Sequence, residues 1–297
     1  MVKAIQKKIL IMSICLVGVF FGCGNGDDPP DVSGTINSVS AKGIVADALV
    51  MSRLASAGAS AGYFTEHDPD LSSCDTGNTI VVANNSDILS LIYNACKTGA
   101  VTWDGRIEMS AETKWPYNVE FGDTSNSLRI SQSEPTITFP YLDSGQLLTL
   151  KGDMQVRDSA NGYQYLMQDL NIYYNTCDVE LLNAELYIGY INQGQDQEVL
   201  FQGEVRSNLV PDIECHTPLR FIAQEQSYPS EGTMLVTALD DGSNVFVVAN
   251  ADASTVNLRI DTDNNSIIDS EISTTWEDLK NSADPYLQDL FEFFWKN

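Results

Sequence analysis

Gln146-Leu147-Leu148-Thr149-Leu150-Lys151-Gly152-Asp153-Met154-Gln155-Val156-Arg157 reads as a strand with one wet face. Leu148, Leu150, Met154 and Val156 fall on one side, and Thr149, Lys151, Asp153, Gln155 and Arg157 on the other. Side chains of an extended chain alternate, so this order sets apolar groups against a core and leaves the polar ones to water. The same period recurs downstream. Ala184, Leu186, Ile188 and Tyr190 alternate with more polar neighbours, as do Val199, Phe201 and Val205, and then Val256, Leu258 and Ile260. Turn-forming pairs or triplets stand between such runs: Asp143-Ser144-Gly145, Asn161-Gly162, Gln193-Gly194 and Asp241-Gly242. Strands joined by short turns predict a mainly β chain, an antiparallel meander forming a sandwich or a curved half-barrel.

A helix is expected at each end of this β region. Over 38–58, Val39, Ile44, Leu49, Val50 and Leu54 are spaced for one helical face, and Gly58-Ala59-Ser60-Ala61-Gly62 is read as its end. Near the C-terminus Asp284 is the expected N-cap, with Pro285 in the first turn. Leu287, Leu290, Phe291 and Phe294 then recur at helical spacing, a face made to dock.

The first residues read as an address. Lys3, Lys7 and Lys8 precede the apolar run Ile9–Phe21, which is shorter than the roughly 20 residues that span a bilayer. The run ends at Gly22-Cys23, which resembles the lipobox of bacterial lipoproteins, where the cysteine becomes acylated and N-terminal. Phe20 and Phe21 depart from that motif's usual residues. Residues 1–22 are thus expected to be a signal peptide, 23–34 a Gly-, Pro- and Asp-rich flexible tether, and 35–297 a single β-rich domain. Two halves of that domain would meet near 143–162. The membrane is the expected partner, through the lipid on Cys23. Gly24, not Asp, follows the cysteine, which in enteric bacteria points to the outer membrane.

The chain has 297 residues and a net charge of −25. Loss of 1–22, with three lysines and no acids, makes it −28. Such a surface repels phosphate backbones, so nucleic acid is not an expected partner. The other cysteines of the exported part are Cys74, Cys96, Cys177 and Cys215. They show no Cys-x-x-Cys spacing, and the chain has two histidines, His67 and His216, which argues against zinc. An even number in an exported chain implies disulfides, and sequential pairing, Cys74–Cys96 and Cys177–Cys215, is the expectation.

Three constellations bear on chemistry. Gly58-Ala59-Ser60-Ala61-Gly62 has the Gly-x-Ser-x-Gly spacing of a hydrolase nucleophile elbow, which requires a strand leading in and a helix leading out. A helix leads in here, so Ser60 reads better as a small residue closing that helix, and no catalytic residue is expected. In Asp261-Thr262-Asp263-Asn264-Asn265-Ser266-Ile267-Ile268-Asp269, the residues Asp261, Asp263, Asn265 and Asp269 hold the first, third, fifth and ninth places of a calcium loop. Ser266 stands where such loops carry glycine, Ile272 where they carry a bidentate Glu, and Glu271 comes one place early. The plainer reading is a polar hairpin tip; calcium is the one cofactor that the sequence suggests at all. Tyr163, Tyr165, Tyr173, Tyr174, Tyr187 and Tyr190 crowd the central strands, either as cross-strand packing pairs or as the lining of a groove.

Tyr228-Pro229-Ser230-Glu231-Gly232, Asp261–Asn265, Thr275-Trp276-Glu277-Asp278-Leu279 and Cys74-Asp75-Thr76-Gly77, the last followed by Cys96 and Trp103-Asp104-Gly105, together resemble a loose group of uncharacterised β-rich proteobacterial envelope lipoproteins. That group often carries glycines where this chain has Asn264 and Ser266. The resemblance implies an envelope location and a β fold, and no activity. The expected function is that of a non-enzymatic envelope lipoprotein, a structural or binding module whose protein or small-molecule partner is not specified. A carrier of apolar ligands or lipids is the alternative, and a serine hydrolase a distant third.

Overall fold

The computed structural model describes residues 34–67, 74–85, 88–98, 101–111, 117–120, 128–132, 147–159, 162–191 and 195–296. Cys23, with the leader and almost all of the tether, lies outside the described residues. The chain opens with α1 (Ala41–His67) and continues into strands β1 (Thr76–Asn85), β2 (Ile88–Thr98), β3 (Val101–Ala111), β4 (Tyr117–Glu120), β5 (Leu128–Gln132), β6 (Leu147–Ser159) and β7 (Gly162–Tyr174). It goes on through β8 (Cys177–Ile191), β9 (Asp196–Ser207), β10 (Ile213–Gln224), β11 (Pro229–Ala238), β12 (Asn244–Ala249), β13 (Thr255–Asp261) and β14 (Ser270–Thr275), and closes with α2 (Trp276–Lys280) and α3 (Gln288–Lys296).

The strands form one antiparallel sheet in chain order, with β4 and β5 sharing the lane between β3 and β6. It is mainly β, as the alternation predicts, and open: no pairing joins β1 to β14 among the described residues. β6 pairs with β7 from Leu148 to Ser159, with one register shift between Asp153 and Met154. Leu148, Leu150, Met154, Ala184, Leu186, Ile188, Val199, Phe201, Val205, Val256, Leu258 and Ile260 are all buried. Among the described residues no helix is long and apolar enough to cross a membrane.

α1 departs from the expected helix in two ways. Every residue from Ile44 to Leu54 is buried, so this stretch has no solvent face, whereas Val39, assigned to the apolar face, precedes the helix and is 90% exposed. A helix buried on every face lies inside, and this one carries Asp47, Ser52 and Arg53 in with its apolar residues. α1 touches β7, β8 and β9 on one side and β12 and β13 on another, and α2 and α3 pack against it. With α2 and α3 packed on it as well, Ile44–Leu54 is enclosed on every side. The second departure is at Gly58–Gly62, which does not end the helix: α1 runs on to His67. Glycine costs about 1 kcal/mol relative to alanine in a helix, and Ala57, Ala59 and Ala61 between and beside the glycines are the best helix formers.

A C-terminal helix forms with its apolar face buried, as expected, but it starts at Gln288. Asp284 and Pro285 therefore belong to the turn before it, Asp284 is not its N-cap, and a separate short α2 precedes them. Thr275 caps α2, its hydroxyl accepting the Asp278 N–H at 3.0 Å. Asp284 accepts the Tyr286 N–H at 2.9 Å through its carboxylate, ahead of a turn that leads into α3. Leu287, Leu290, Phe291 and Phe294 are buried. Two sequence blocks meet here: the Trp276 indole N–H donates to the Pro229 carbonyl at 3.2 Å, and the Tyr228 hydroxyl donates to Glu277 at 3.0 Å. Trp276 sits within 6.0–6.4 Å, centroid to centroid, of Tyr228, Phe221, Trp295 and Phe291.

Cys74 and Cys96 are bonded, as expected, because Cys74 leads directly into β1 where Thr76 pairs with Lys97 of β2. The second expected disulfide is not formed. Cys177 and Cys215 are both buried, but Cys215 pairs with Gly203, which faces Asn183–Ala184 on β8. Cys177 begins that strand, six or seven residues away, or about 20 Å at 3.3 Å per residue, far beyond the reach of a disulfide. Burial pushes the Cys215 thiol up to about 12.

Candidate functional site

The acidic loop joins β13 to β14. Asp261 ends β13 and is buried; its two carboxylate oxygens accept the Asn265 N–H at 3.2 Å and the Ser266 N–H at 2.8 Å. That chelation turns the chain sharply, with Asn264 at φ 54° and Ser266 at φ 66°. Ser266 thus adopts the left-handed backbone that a glycine would take at lower cost. Asp269 accepts both the hydroxyl and the N–H of Thr262, which hold its carboxyl below the usual carboxylate range.

Asp261, Asp263 and Asp269 each bring a carboxylate oxygen to within 4.8 Å of the others. Asn265 does not join them as an oxygen donor. Its amide N–H donates to Asp263 at 2.9 Å, and its carbonyl accepts the Ile267 N–H at 2.7 Å. Glu271 is turned to Arg259, 3.3 Å away. The loop therefore offers three carboxylate oxygens, a donor set that suits a hard cation wanting six to eight oxygens with water completing the shell.

The tyrosines divide. Tyr163, Tyr165, Tyr174 and Tyr190 have the parity of the face toward α1, while Tyr173 and Tyr187 point away from it. Tyr187 lies under the Arg220 guanidinium, 4.8 Å from ring centroid to carbon. Tyr163 and Tyr165 stack at 6.4 Å. Ser60 lies within α1, not at a strand-to-helix turn, so the elbow geometry is not met there.

A second constellation was not singled out from sequence. Arg53 of α1 is 3% exposed. Its guanidinium carbon lies 4.7 Å from the Trp295 ring centroid and 5.1 Å from that of Phe294, so both α3 rings meet the cation. Nη2 donates to the Gln197 side chain at 3.2 Å, while Nε and Nη1 have no acceptor. Burial lowers its pKa to about 9, partly offset by Tyr190 and Tyr165. The available signal is that Arg53 is the one charged residue between Asp47 and Glu66. Asp47 itself is buried, accepts the Asp284 N–H at 2.8 Å, and ties α1 to the α2–α3 connection.

Comparison with known protein families, with curated proteins and with solved structures returned no match.

Proposed function

We propose that this protein is a cell-envelope lipoprotein, held by a lipid on Cys23, whose folded part serves as a structural or binding module and not as an enzyme. The observation that carries the module reading is the filled interior. Ile44–Leu54 is buried on every face, in contact with the sheet and with α2 and α3. A carrier of apolar ligands would need that space for its cargo. The lipobox-like Gly22-Cys23 after an apolar run supports the anchor.

The placement of residue 34 gives the anchor a consequence. Gly34 lies beside Pro211, and the Ile36 N–H donates to the Ser243 hydroxyl at 2.8 Å. Gly242, next to Ser243, sits against Asn264 of the acidic loop. Eleven residues from Cys23 to Gly34 reach at most about 40 Å. The tether therefore joins the folded part at the end of the sheet that carries Asp261, Asp263 and Asp269. The test is metabolic labelling with an acyl precursor and membrane fractionation of wild type and Cys23→Ala. Label and membrane association in wild type, both lost in the variant, are expected; an unlabelled wild-type Cys23 refutes the anchor.

A further inference from the structure

We infer that the end of the sheet where the tether joins is a membrane-docking face, with Ile267 and Ile268 of the acidic loop seated among the headgroups of a zwitterionic phospholipid bilayer. This deepens the proposed anchoring and rests on it: a lipid on Cys23 holds the chain at the membrane, and the face decides which end turns toward it. Exposed apolar side chains gather here. Among the described residues seven large hydrophobic side chains are exposed, and four of them, Val39, Leu239, Ile267 and Ile268, belong to segments that meet at this end. Val39 follows three residues after Ile36, its N–H donating to the Asn37 side chain at 2.8 Å. Leu239 opens the turn that carries Gly242 and Ser243, and its N–H donates to the carbonyl of Asp212, next to Pro211, at 2.8 Å. Asn264, against Gly242, stands three positions before Ile267. Ile267 is 66% exposed and Ile268 47%. A lone exposed isoleucine is ordinary, but two in succession, in a loop otherwise built of Thr, Asp, Asn and Ser, place apolar surface at its tip.

The tether selects the occupant. Gly34 lies at this end, and a reach of at most about 40 Å from Cys23 keeps these isoleucines in range of the bilayer that holds the lipid. The turn between β10 and β11, at the other end, stands about 35 Å further off along β10. A short linker makes the second contact intramolecular, at an effective concentration in the millimolar range. Two isoleucines bury too little area to recruit a free protein to a membrane, but they suffice to orient one already tethered there. Charge selects the lipid. Asp212, Asp240, Asp241, Asp263 and Asp269 are exposed at this end. They are repelled by anionic headgroups and must stay hydrated, which favours zwitterionic lipid and stops insertion at the two isoleucines.

The experiment uses the full chain, purified from the membranes of expressing cells and incorporated into phosphatidylcholine vesicles. A nitroxide is placed on Ile268→Cys or, in a second sample, on Glu225→Cys, an exposed site in the turn between β10 and β11. Relaxation of each label by oxygen, which concentrates in lipid, is compared with relaxation by a water-soluble nickel chelate. The oxygen-to-nickel ratio should be about threefold or more higher at 268 than at 225, and should fall toward the value at 225 when Ile267→Asp is added. It should fall likewise in vesicles rich in phosphatidylglycerol; no fall there rejects the zwitterionic assignment. Equal ratios at the two positions in vesicle-bound protein overturn the docking face and leave the anchor standing. A ratio that Ile267→Asp leaves unchanged also overturns it. Protein that does not float with the vesicles overturns anchor and face together. Broadening of the spectrum at 268 that disappears on dilution with unlabelled chain means that a second copy covers the tip, and overturns the proposal.

Discussion

Replacing Asp47 by asparagine isolates the effect of one buried carboxyl on the stability of the whole fold. Burial pushes this group from 3.8 up to about 7, against the lowering effect of the Asp284 N–H. Below pH 3.8 both the folded and the unfolded chain hold the proton. Between 3.8 and 7 the unfolded chain releases it and the folded chain keeps it, so stability falls as pH rises through this window and levels off above it. At 1.36 kcal/mol per pH unit, the roughly three-unit window sets a ceiling of about 4 kcal/mol. For a domain of this size that corresponds to a shift in Tm on the order of 10 °C. Asparagine mimics the protonated acid, and its carbonyl still accepts the Asp284 N–H. Urea unfolding at pH 4.5 to 8.5 should show Asp47→Asn close to wild type at the acid end and increasingly more stable toward pH 8. A difference that does not change with pH, or a variant less stable than wild type at pH 8, would refute the reasoning.

Two further outcomes are expected. Gly203→Ala should destabilise by more than about 2 kcal/mol in thermal or denaturant unfolding, because the added Cβ would stand 2.5 Å from the Ala184 Cα on a backbone at φ 140°. Calcium in the millimolar range, if taken up by Asp261, Asp263 and Asp269, should add about 1.5 kcal/mol at tenfold excess over its Kd. Magnesium should do less, and Asp263→Ala should abolish the effect; equal shifts with both ions that survive this substitution would mean general screening of the negative surface.

The β region was legible because burial on one face writes itself as a period of two, and Leu148–Met154, Ala184–Ile188 and Val256–Ile260 fold as that period requires. α1 was read less well. Looking for one apolar face presumes a helix with a wet side, and Ile44–Leu54 has none. Its small residues at 57–62 look like a stop to a rule about glycine, although the neighbouring alanines carry the helix through. Disulfides divided along the same line. Cys74 and Cys96 are brought together by a local hairpin, whereas Cys177 and Cys215 are separated by a register that depends on two intervening pairings. Asp261, Asp263 and Asp269 converge within one loop and were visible as a spacing. Arg53 was not, since Gln197 stands 144 positions along the chain and Trp295 arrives on α3.

Gly203 and Gly232 have a shared geometry that bears on how so long a ribbon finds its alignment. Gly203 faces the two residues Asn183 and Ala184, and Gly232 faces Arg220 and Phe221, each glycine at positive φ with a neighbour's Cα 2.5 Å from where a Cβ would stand. Alternating hydrophobicity forbids a slip of one residue, which would turn every side chain over, but is blind to a slip of two. Moving β9 by two positions against β8 would bring Phe201 or Val205 opposite Asn183–Ala184, and neither fits. The glycines act like notches in a ratchet. They reject the even-numbered misalignments that the apolar pattern would accept, so each strand has one place to stop.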